Sequence, residues 1–457
     1  MGSTKHSQNA GVFQQDSEKA AWHNNALWFV REKRDRMSKT IPEWEELRAM
    51  GEKIKLHSVS NLDVYLEEFS TNAEANGVIV HWAKDAEEHN AIVHSILEKH
   101  NAKKMVKSKS MLTEECELNH YLEAKGIDVI ESDLGERILQ LNGTAPSHIV
   151  LPAIHMKREE VGELFSEKLN TEKGNSDPTY LTRAARASLR NDFLTADVAM
   201  TGVNFGVAST GEVVVCTNEG NADMGTSLAK VHIASMGLEK VIPNRECLAV
   251  FTRLLARSAT GQPTTTYTSH FQKPVEGGEF HIIIVDNGRS DILTNEDHIK
   301  SLNCIRCGAC MNTCPVYRRS GGYSYTYFIP GPIGINLGML KDPVKHSENL
   351  SACSLCYSCN NVCPVRIDLA DQIYKWRQDL DSLGKANASK KLISSGMQFL
   401  FTHPALFRTS LKFSSLAKYA PRSLTFGLKE WEDGRSLPPF AKESFTEMWK
   451  KGKVQKK

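Results

Sequence analysis

Cys304-Ile-Arg-Cys307-Gly-Ala-Cys310-Met-Asn-Thr-Cys314-Pro315 and, further on, Cys353-Ser-Leu-Cys356-Tyr-Ser-Cys359-Asn-Asn-Val-Cys363-Pro364 hold eight of the chain's eleven cysteines. Both runs follow C-x2-C-x2-C-x3-C-P, the spacing of ferredoxins that carry two 4Fe-4S clusters. A cubane needs four thiolates converging on its corners. The first three cysteines of a run can wrap one cluster in a tight loop whose backbone N–H groups also reach the sulfurs. The fourth enters a helix that leads away and serves the other cluster. This assigns Cys304, Cys307, Cys310 and Cys363 to one cubane and Cys353, Cys356, Cys359 and Cys314 to the second. Pro315 and Pro364 suit a chain that turns sharply after its last ligand.

Structural zinc also takes four thiolates, but zinc ribbons present two separated C-x2-C pairs per metal, and neither run divides that way. Disulfides are the weaker reading, because the chain shows no export signal and cytosolic thiols stay reduced. The 38 residues between Cys314 and Cys353 are far more than two pseudo-symmetric hairpin halves need. They carry Tyr323, Tyr325, Tyr327 and Phe328, then Gly331-Pro332-Ile333-Gly334 and Gly338-Met339-Leu340. Ile367 to Arg377 then has helical spacing. The expectation is a helical two-cluster domain over 296–380, of the kind that passes electrons between a catalytic partner and an acceptor.

Working outward, 457 residues suggest two or three domains. With 40% hydrophobic and 24% charged residues the composition is that of a soluble globular protein, and a net charge of +2 gives no reason to expect nucleic acid. The start is polar, and no apolar run approaches the ~18 residues of a transmembrane helix. A cytoplasmic protein without a membrane span is therefore expected. Met1-Gly2 is not a lipidation signal, since His6 stands where serine or threonine is wanted.

Residues 1–59 read as a charged, helical arm in which Trp22, Trp28, Phe29 and Trp44 interrupt runs such as Arg31 to Arg36. The charge run reads as a solvated helix face, with a partner-docking arm as the sharper alternative. Over 60–295 strands and helices alternate. Strands are expected at Gly77–Trp82, Lys103–Lys107, Ile127–Ile130, His148–Leu151, Ala208–Cys216 and His281–Val285, and helices at Asp85–His100 and Thr113–Ala124, the latter capped by Thr113. The fold class is thus α/β, with a largely parallel sheet covered on both faces, followed by an α-helical ferredoxin-type domain. Neither Gly202 to Gly206 nor Gly206 to Gly211 matches a dinucleotide or Walker fingerprint, which argues against a nicotinamide dehydrogenase. The last stretch, 381–457, is a helical extension broken by Pro404, Pro421, Pro438 and Pro439. Met397–Phe401 and Leu406–Leu416 read as short helices packed on the cluster domain, with contact to another subunit or to the inner membrane surface as the alternative.

Polar residues collect at the expected strand ends, where ligands of parallel α/β sheets bind. Glu115, Glu136, His155 and Glu219 are the candidate site residues, expected to approach one pocket. For any single one, capping, turn chemistry or a satisfied core histidine is the competing role.

The stretches Ser110 to Glu115, Leu118 to Gly126, Asp133 to Glu136, Pro146 to Ile149, Pro152 to His155, Thr217 to Asn221 and Val231 to Ala234 resemble the lactate-utilisation (LUD) domain. Joined to the paired cysteine runs and the C-terminal extension, they make the chain similar to the lactate utilisation B family, the iron-sulfur subunits of a three-part bacterial L-lactate oxidation system. The resemblance implies the fold of ribose-phosphate isomerases and coenzyme A transferases, conversion of lactate to pyruvate, and two partners: a cysteine-rich subunit and a second, smaller LUD protein. It implies no roles for the four candidates. Oxidising a 2-hydroxy acid removes two electrons and two protons while a cubane takes one electron, so a flavin or other two-electron cofactor is expected on a partner. Two other readings remain: the iron-sulfur subunit of a glycolate, heterodisulfide or glycerol-phosphate system, and a noncatalytic assembly or regulatory subunit.

Overall fold

A computed structural model describes residues 6–382, 388–413 and 443–454. The chain divides into two units, Met1–Arg377 and Gln378–Lys457. In the first, the strands are β1 (Ile79–Ala83), β2 (Lys104–Lys107), β3 (Asp128–Glu131), β4 (Val198–Gly202), β5 (Phe205–Val207), β6 (Glu212–Thr217), β7 (Val231–Gly237), β8 (Val241–Ile242), β9 (Tyr267–Phe271) and β10 (Glu279–Val285). Six of them form a sheet in the order β1-β10-β7-β4-β2-β3. Every neighbouring pair in it is parallel, as the α/β reading requires.

Side-chain alternation along β10 explains the two covered faces. Ile283 and Val285 pack with Val93, Leu97, Leu118 and Val129 on one side, while Phe280, Ile282 and Ile284 pack with Leu66, Phe69 and Met236 on the other. Burying each such side chain contributes about 1.5–3 kcal/mol, so the central strands anchor the unit. The other four strands make a mixed sheet, β8-β5-β6-β9, in which β6 runs antiparallel to β5 and β9.

Three expectations about local structure are corrected. His148–Leu151 is a bend and not a strand, because His148 Nδ1 accepts from Val150 N and Leu151 N, both at 3.0 Å, and so takes the donors a ladder would use. The strand expected over Ala208–Cys216 begins only at Glu212 and joins the mixed sheet. Gly211 turns ahead of it at φ +66°, where a Cβ would come within 2.2 Å of Ala73 N. The helix expected over Thr113–Ala124 is two helices, Met111–Glu115 and Leu118–Ala124, broken at Glu117 (φ 52°). Its cap is Ser110, whose Oγ accepts from Thr113 N.

The N-terminal arm is a further correction. Helix Ser17–Ser38 does not leave its charge run in solvent: Arg34 is buried and donates to Val362 O at 3.0 Å, and Arg31 reaches Thr313 Oγ1. From helix Trp44–Ser60, Arg48 donates to Cys363 O at 2.9 Å. The cations thus face the cysteine-rich segment. That segment is helical, with helices Ala309–Thr313, Pro315–Ser320, Gly331–Lys341, Pro343–His346, Ser358–Val362 and Leu369–Ser382.

In the second unit lie helices Ala388–Thr402, Pro404–Phe413 and Phe445–Lys450. Residues 414–416 of the expected Leu406–Leu416 helix, and Pro421, Pro438 and Pro439, lie outside the described residues. Among the described residues no helix is long and apolar enough to cross a membrane.

Candidate iron-sulfur centre and the adjoining cavity

The two cysteine runs adopt one backbone shape twice. The second residue after the leading cysteine is left-handed in both, Arg306 at φ 59° and Leu355 at φ 52°, and so is the residue after the second cysteine, Gly308 at 74° and Tyr357 at 59°. Three of these four are not glycine, so the surroundings must impose a costly conformation. What it achieves is N–H donation to sulfur: Arg306 N to Cys304 Sγ and Leu355 N to Cys353 Sγ, each at 3.4 Å. The fourth cysteines match as well, Cys314 Sγ accepting from Tyr317 N at 3.5 Å and Cys363 Sγ from Ile367 N at 3.2 Å. Such bonds favour the thiolate.

Cys304, Cys307, Cys310 and Cys363 wall one small cavity. Cys314 lies close enough to Cys353 and Cys356 for their charges to act on it, as they and Cys314 act on Cys359. Burial raises the thiols of Cys314 and Cys363 to about 11, so a cationic core is needed to hold them as thiolates at neutral pH. Among the described residues no three cysteine sulfurs lie within 4.8 Å of one another, a wider spacing than that to which a single tetrahedral ion draws its ligands. Thiolates around zinc at ≈ 2.3 Å stand about 3.8 Å apart. All eleven cysteines are free of disulfides.

A larger cavity, about 570 Å³, opens at the carboxyl ends of the parallel strands. Ser108, Ser110, Gly202, Glu239 and Arg289 contribute from those ends, and Arg306 and Cys307 from the first cysteine loop. In its wall Arg289 holds two carboxylates: Glu115 at 2.8 and 3.0 Å, and Glu239 at 2.6 Å through Nε. Burial works to raise the Glu239 carboxyl, but Arg289, Lys240 and Arg306 outweigh it and bring it down to about 2. Lys240 Nζ lies 3.9 Å and Arg306 Nη2 4.0 Å from Glu239, and Lys55 donates to its carbonyl. Four basic side chains thus surround two acids beside the first sulfur set. Burial, and next the charge of Lys240, lower Lys55 to about 7.

A second buried group lies at the ends of β2 and β3. Lys107 Nζ is 2.7 Å from Glu131 and 3.2 Å from Glu114. Burial works to lower the Lys107 pKa, yet the two carboxylate charges hold it above the usual lysine range. Glu136 lies 4.0 Å from Lys109. Burial first, then the charges of Glu131 and Glu114, raise Glu136 to about 8 against the pull of Lys109.

Comparison with known proteins now bears on this geometry. The LUD domain family matches residues 66–291, the 4Fe-4S dicluster domain family residues 300–367, and the family of lactate utilisation protein B C-terminal domains residues 381–454. Lactate utilization protein B 1 of Bacillus mycoides is 42% identical over 92% of this chain and 90% of its own length. Lactate utilization protein B of Geobacillus thermodenitrificans is 44% identical over 89% and 88%. This chain belongs to the lactate utilisation protein B family. The uncharacterized electron transport protein YkgF of Escherichia coli is 41% identical over 95% of this chain and 94% of its own length. A crystal structure of a DUF162 family protein from Deinococcus radiodurans aligns with 49% of this chain and 98% of its own at 11% identity and a TM-score of 0.29, too weak a likeness to argue from.

Within the LUD domain the four candidate residues do not share one position. Glu115 and Glu219 line the cavity. Scarcity of water, and next the charge of Asp133, raise the Glu219 carboxyl to about 7, although the residue keeps an exposed side. Glu136 lies behind the wall, in reach of Lys109, which does line the cavity. His155 faces elsewhere: its ring nitrogens meet Ser147 Oγ at 2.7 Å and Tyr323 OH at 3.1 Å. Arg289, Glu239 and Arg306 went unnoticed in the sequence. The available signal was position, since Arg289 follows β10 and Arg306 sits between two ligand cysteines.

Proposed function

We propose that this chain is the iron-sulfur, electron-transfer subunit of a multi-subunit assembly that oxidises L-lactate to pyruvate. One observation carries the reading: Arg306 and Cys307 stand in the wall of the cavity at the carboxyl ends of the parallel sheet. A substrate or partner group seated there lies against the first sulfur set. Family membership supports it, as do the relatives' names, which speak of lactate utilisation and electron transport.

Cys304, Cys307, Cys310 and Cys363 would hold one 4Fe-4S cluster, and Cys353, Cys356, Cys359 and Cys314 the second. When bound, such clusters accept and release one electron each. The chain's own residues do the rest. Backbone N–H groups of Arg306, Leu355, Tyr317 and Ile367 steady the sulfurs, and the cationic surplus around Glu239 favours added negative charge on the first set. Glu219, with a pKa of about 7 at the cavity wall, is suited to accept a proton at neutral pH. Because lactate gives up two electrons together, a flavin or another two-electron cofactor falls to a partner. The partners in this reading are a cysteine-rich subunit and a smaller LUD-domain protein, in a cytoplasmic assembly.

The test is anaerobic copurification from the native host, followed by addition of L-lactate. Bleaching of the visible iron-sulfur absorbance by L-lactate, abolished by Cys307→Ser and reduced in amplitude by Cys356→Ser, is the expected result. Bleaching by glycolate and not by lactate, or by dithionite alone, would refute the assignment.

A further inference from the structure

We propose that the amino end of the parallel sheet carries a mononuclear binding site for a divalent ion of the zinc class, held by His100, Glu279 and His281. The three ligand atoms lie within 4.8 Å of one another. Glu279 Oε2 stands 2.9 Å from His281 Nε2 and 3.1 Å from His100 Nε2. Ligands around zinc, bonded at about 2.0–2.1 Å, are spaced by about 3.3 Å, so the two contacts need only a few tenths of an ångström of opening to admit the ion.

The arrangement follows from the local fold. Glu279 and His281 stand two apart at the start of β10, and strand side chains two apart share a face. His100 closes helix Ala86–Lys99, which packs over that face through Ile96 and Leu97. The far ring nitrogen of His281 meets His81 Nε2 at 3.0 Å, and the two rings stack with centroids 5.3 Å apart. A partner on the second nitrogen fixes the orientation of a ligating imidazole. The His281 side chain is 3% exposed while His100 and Glu279 are 24% and 30% exposed, so the remaining coordination position faces water. Two imidazoles and a carboxylate suit zinc, whereas magnesium and calcium take oxygen ligands.

Lys99 supplies the discriminating feature. Its ammonium lies 2.8 and 2.9 Å from the two oxygens of Glu279, on a side chain that is 56% exposed and free to swing away. Lysine and metal therefore compete for one carboxylate, and a network that is merely structural would be indifferent to losing the lysine. The site is separate from the iron-sulfur centre: β10 carries the chain about 20 Å at strand rise from Glu279 to Val285, and Arg289 at the large cavity follows beyond that end.

The experiment uses full-length protein purified anaerobically with its clusters in place and titrated with zinc(II) against a chromophoric competitor, iron content being followed throughout. One zinc per chain is expected to bind, undisturbed by magnesium. His281 is buried, so the ligand variants are made at the more exposed positions. His100→Ala and Glu279→Gln should each weaken zinc binding by more than about 100-fold, and His81→Phe by about 10- to 100-fold, with iron unchanged. Lys99→Met should tighten it several-fold. Wild-type protein that takes no zinc, ligand variants that bind as tightly as wild type, or a Lys99→Met protein that binds no tighter, each overturns the proposal.

Discussion

Glu136 is an acid without water and with its nearest cation 4.0 Å away. Its ordinary value is 4.5, and in the fold it is raised to about 8. Between those values the folded chain holds a proton that the unfolded chain has released, so stability falls as pH rises through the window and levels off above it. At pH 7 the loss is about 3 kcal/mol at 1.36 kcal/mol per pH unit. Glutamine keeps the shape and cannot ionise. The melting temperature of Glu136→Gln minus that of wild type should therefore climb between pH 5 and pH 8 and flatten beyond; a difference independent of pH would mean the carboxyl is ionised in the fold. Arg289 presents the opposite case, a cation clamped between Glu115 and Glu239. Arg289→Met leaves two buried carboxylates facing each other and should cost about 3–5 kcal/mol, read as a lowered denaturation midpoint. Glu115 was legible in the sequence because it stands in the polar stretch that follows an expected strand, Lys103–Lys107. Arg289 was not, since its partners lie 174 and 50 residues away in the chain.

At the scale of elements, most of the parallel strands were legible, β2 and β3 among them although Lys107 and Glu131 are buried, while β4 and β7 were not. β10 reads directly from His281-Ile-Ile-Ile-Val285. β7 is Val231-His-Ile-Ala-Ser-Met-Gly237, buried throughout, and its polar members are satisfied across the fold, His232 by Thr201 and Ser235 by His89, both at 2.8 Å. Those pairings are tertiary facts that periodicity cannot carry. The N-terminal helices show the same limit. The run Arg31 to Arg36 reads as a solvated face until Arg34 is found on the carbonyl of Val362, and Arg48 of the next helix on that of Cys363. A hydrogen bond from a charged donor contributes about 1.5–3 kcal/mol, and here it braces the helix that presents Cys363. Arg34→Met and Arg48→Met should lose visible cluster absorbance in air faster than wild type, while the exposed Arg36→Met serves as a control with no change. Equal decay in all three would detach the arm from cluster retention.

Across the whole first unit, the cysteine segment and the sheet share a wall. Tyr317 OH donates to Ser147 O at 2.7 Å and His148 Nε2 meets Asn312 at 3.0 Å, so the bend that replaced the expected strand is also the seam between the two parts. Spacing alone assigned sulfurs to sets, but it could not say which set faces the LUD cavity, because that depends on how the helices dock. The docked chain is asymmetric: Cys307 of the first set lines the cavity, and Cys353, Cys356 and Cys359 do not. A small carboxylate entering the cavity therefore brings its charge beside the first sulfur set and not the second, and between partly buried groups the field is weakly screened. In anaerobically reduced protein, L-lactate or pyruvate should shift the electron paramagnetic resonance signal of one cluster and leave the other unchanged. Cys356→Ser should retain the responsive signal and Cys307→Ser should lose it. Equal shifts in both signals, or none in either, would separate the cavity from the sulfurs and take away the geometric basis for electron transfer at this wall.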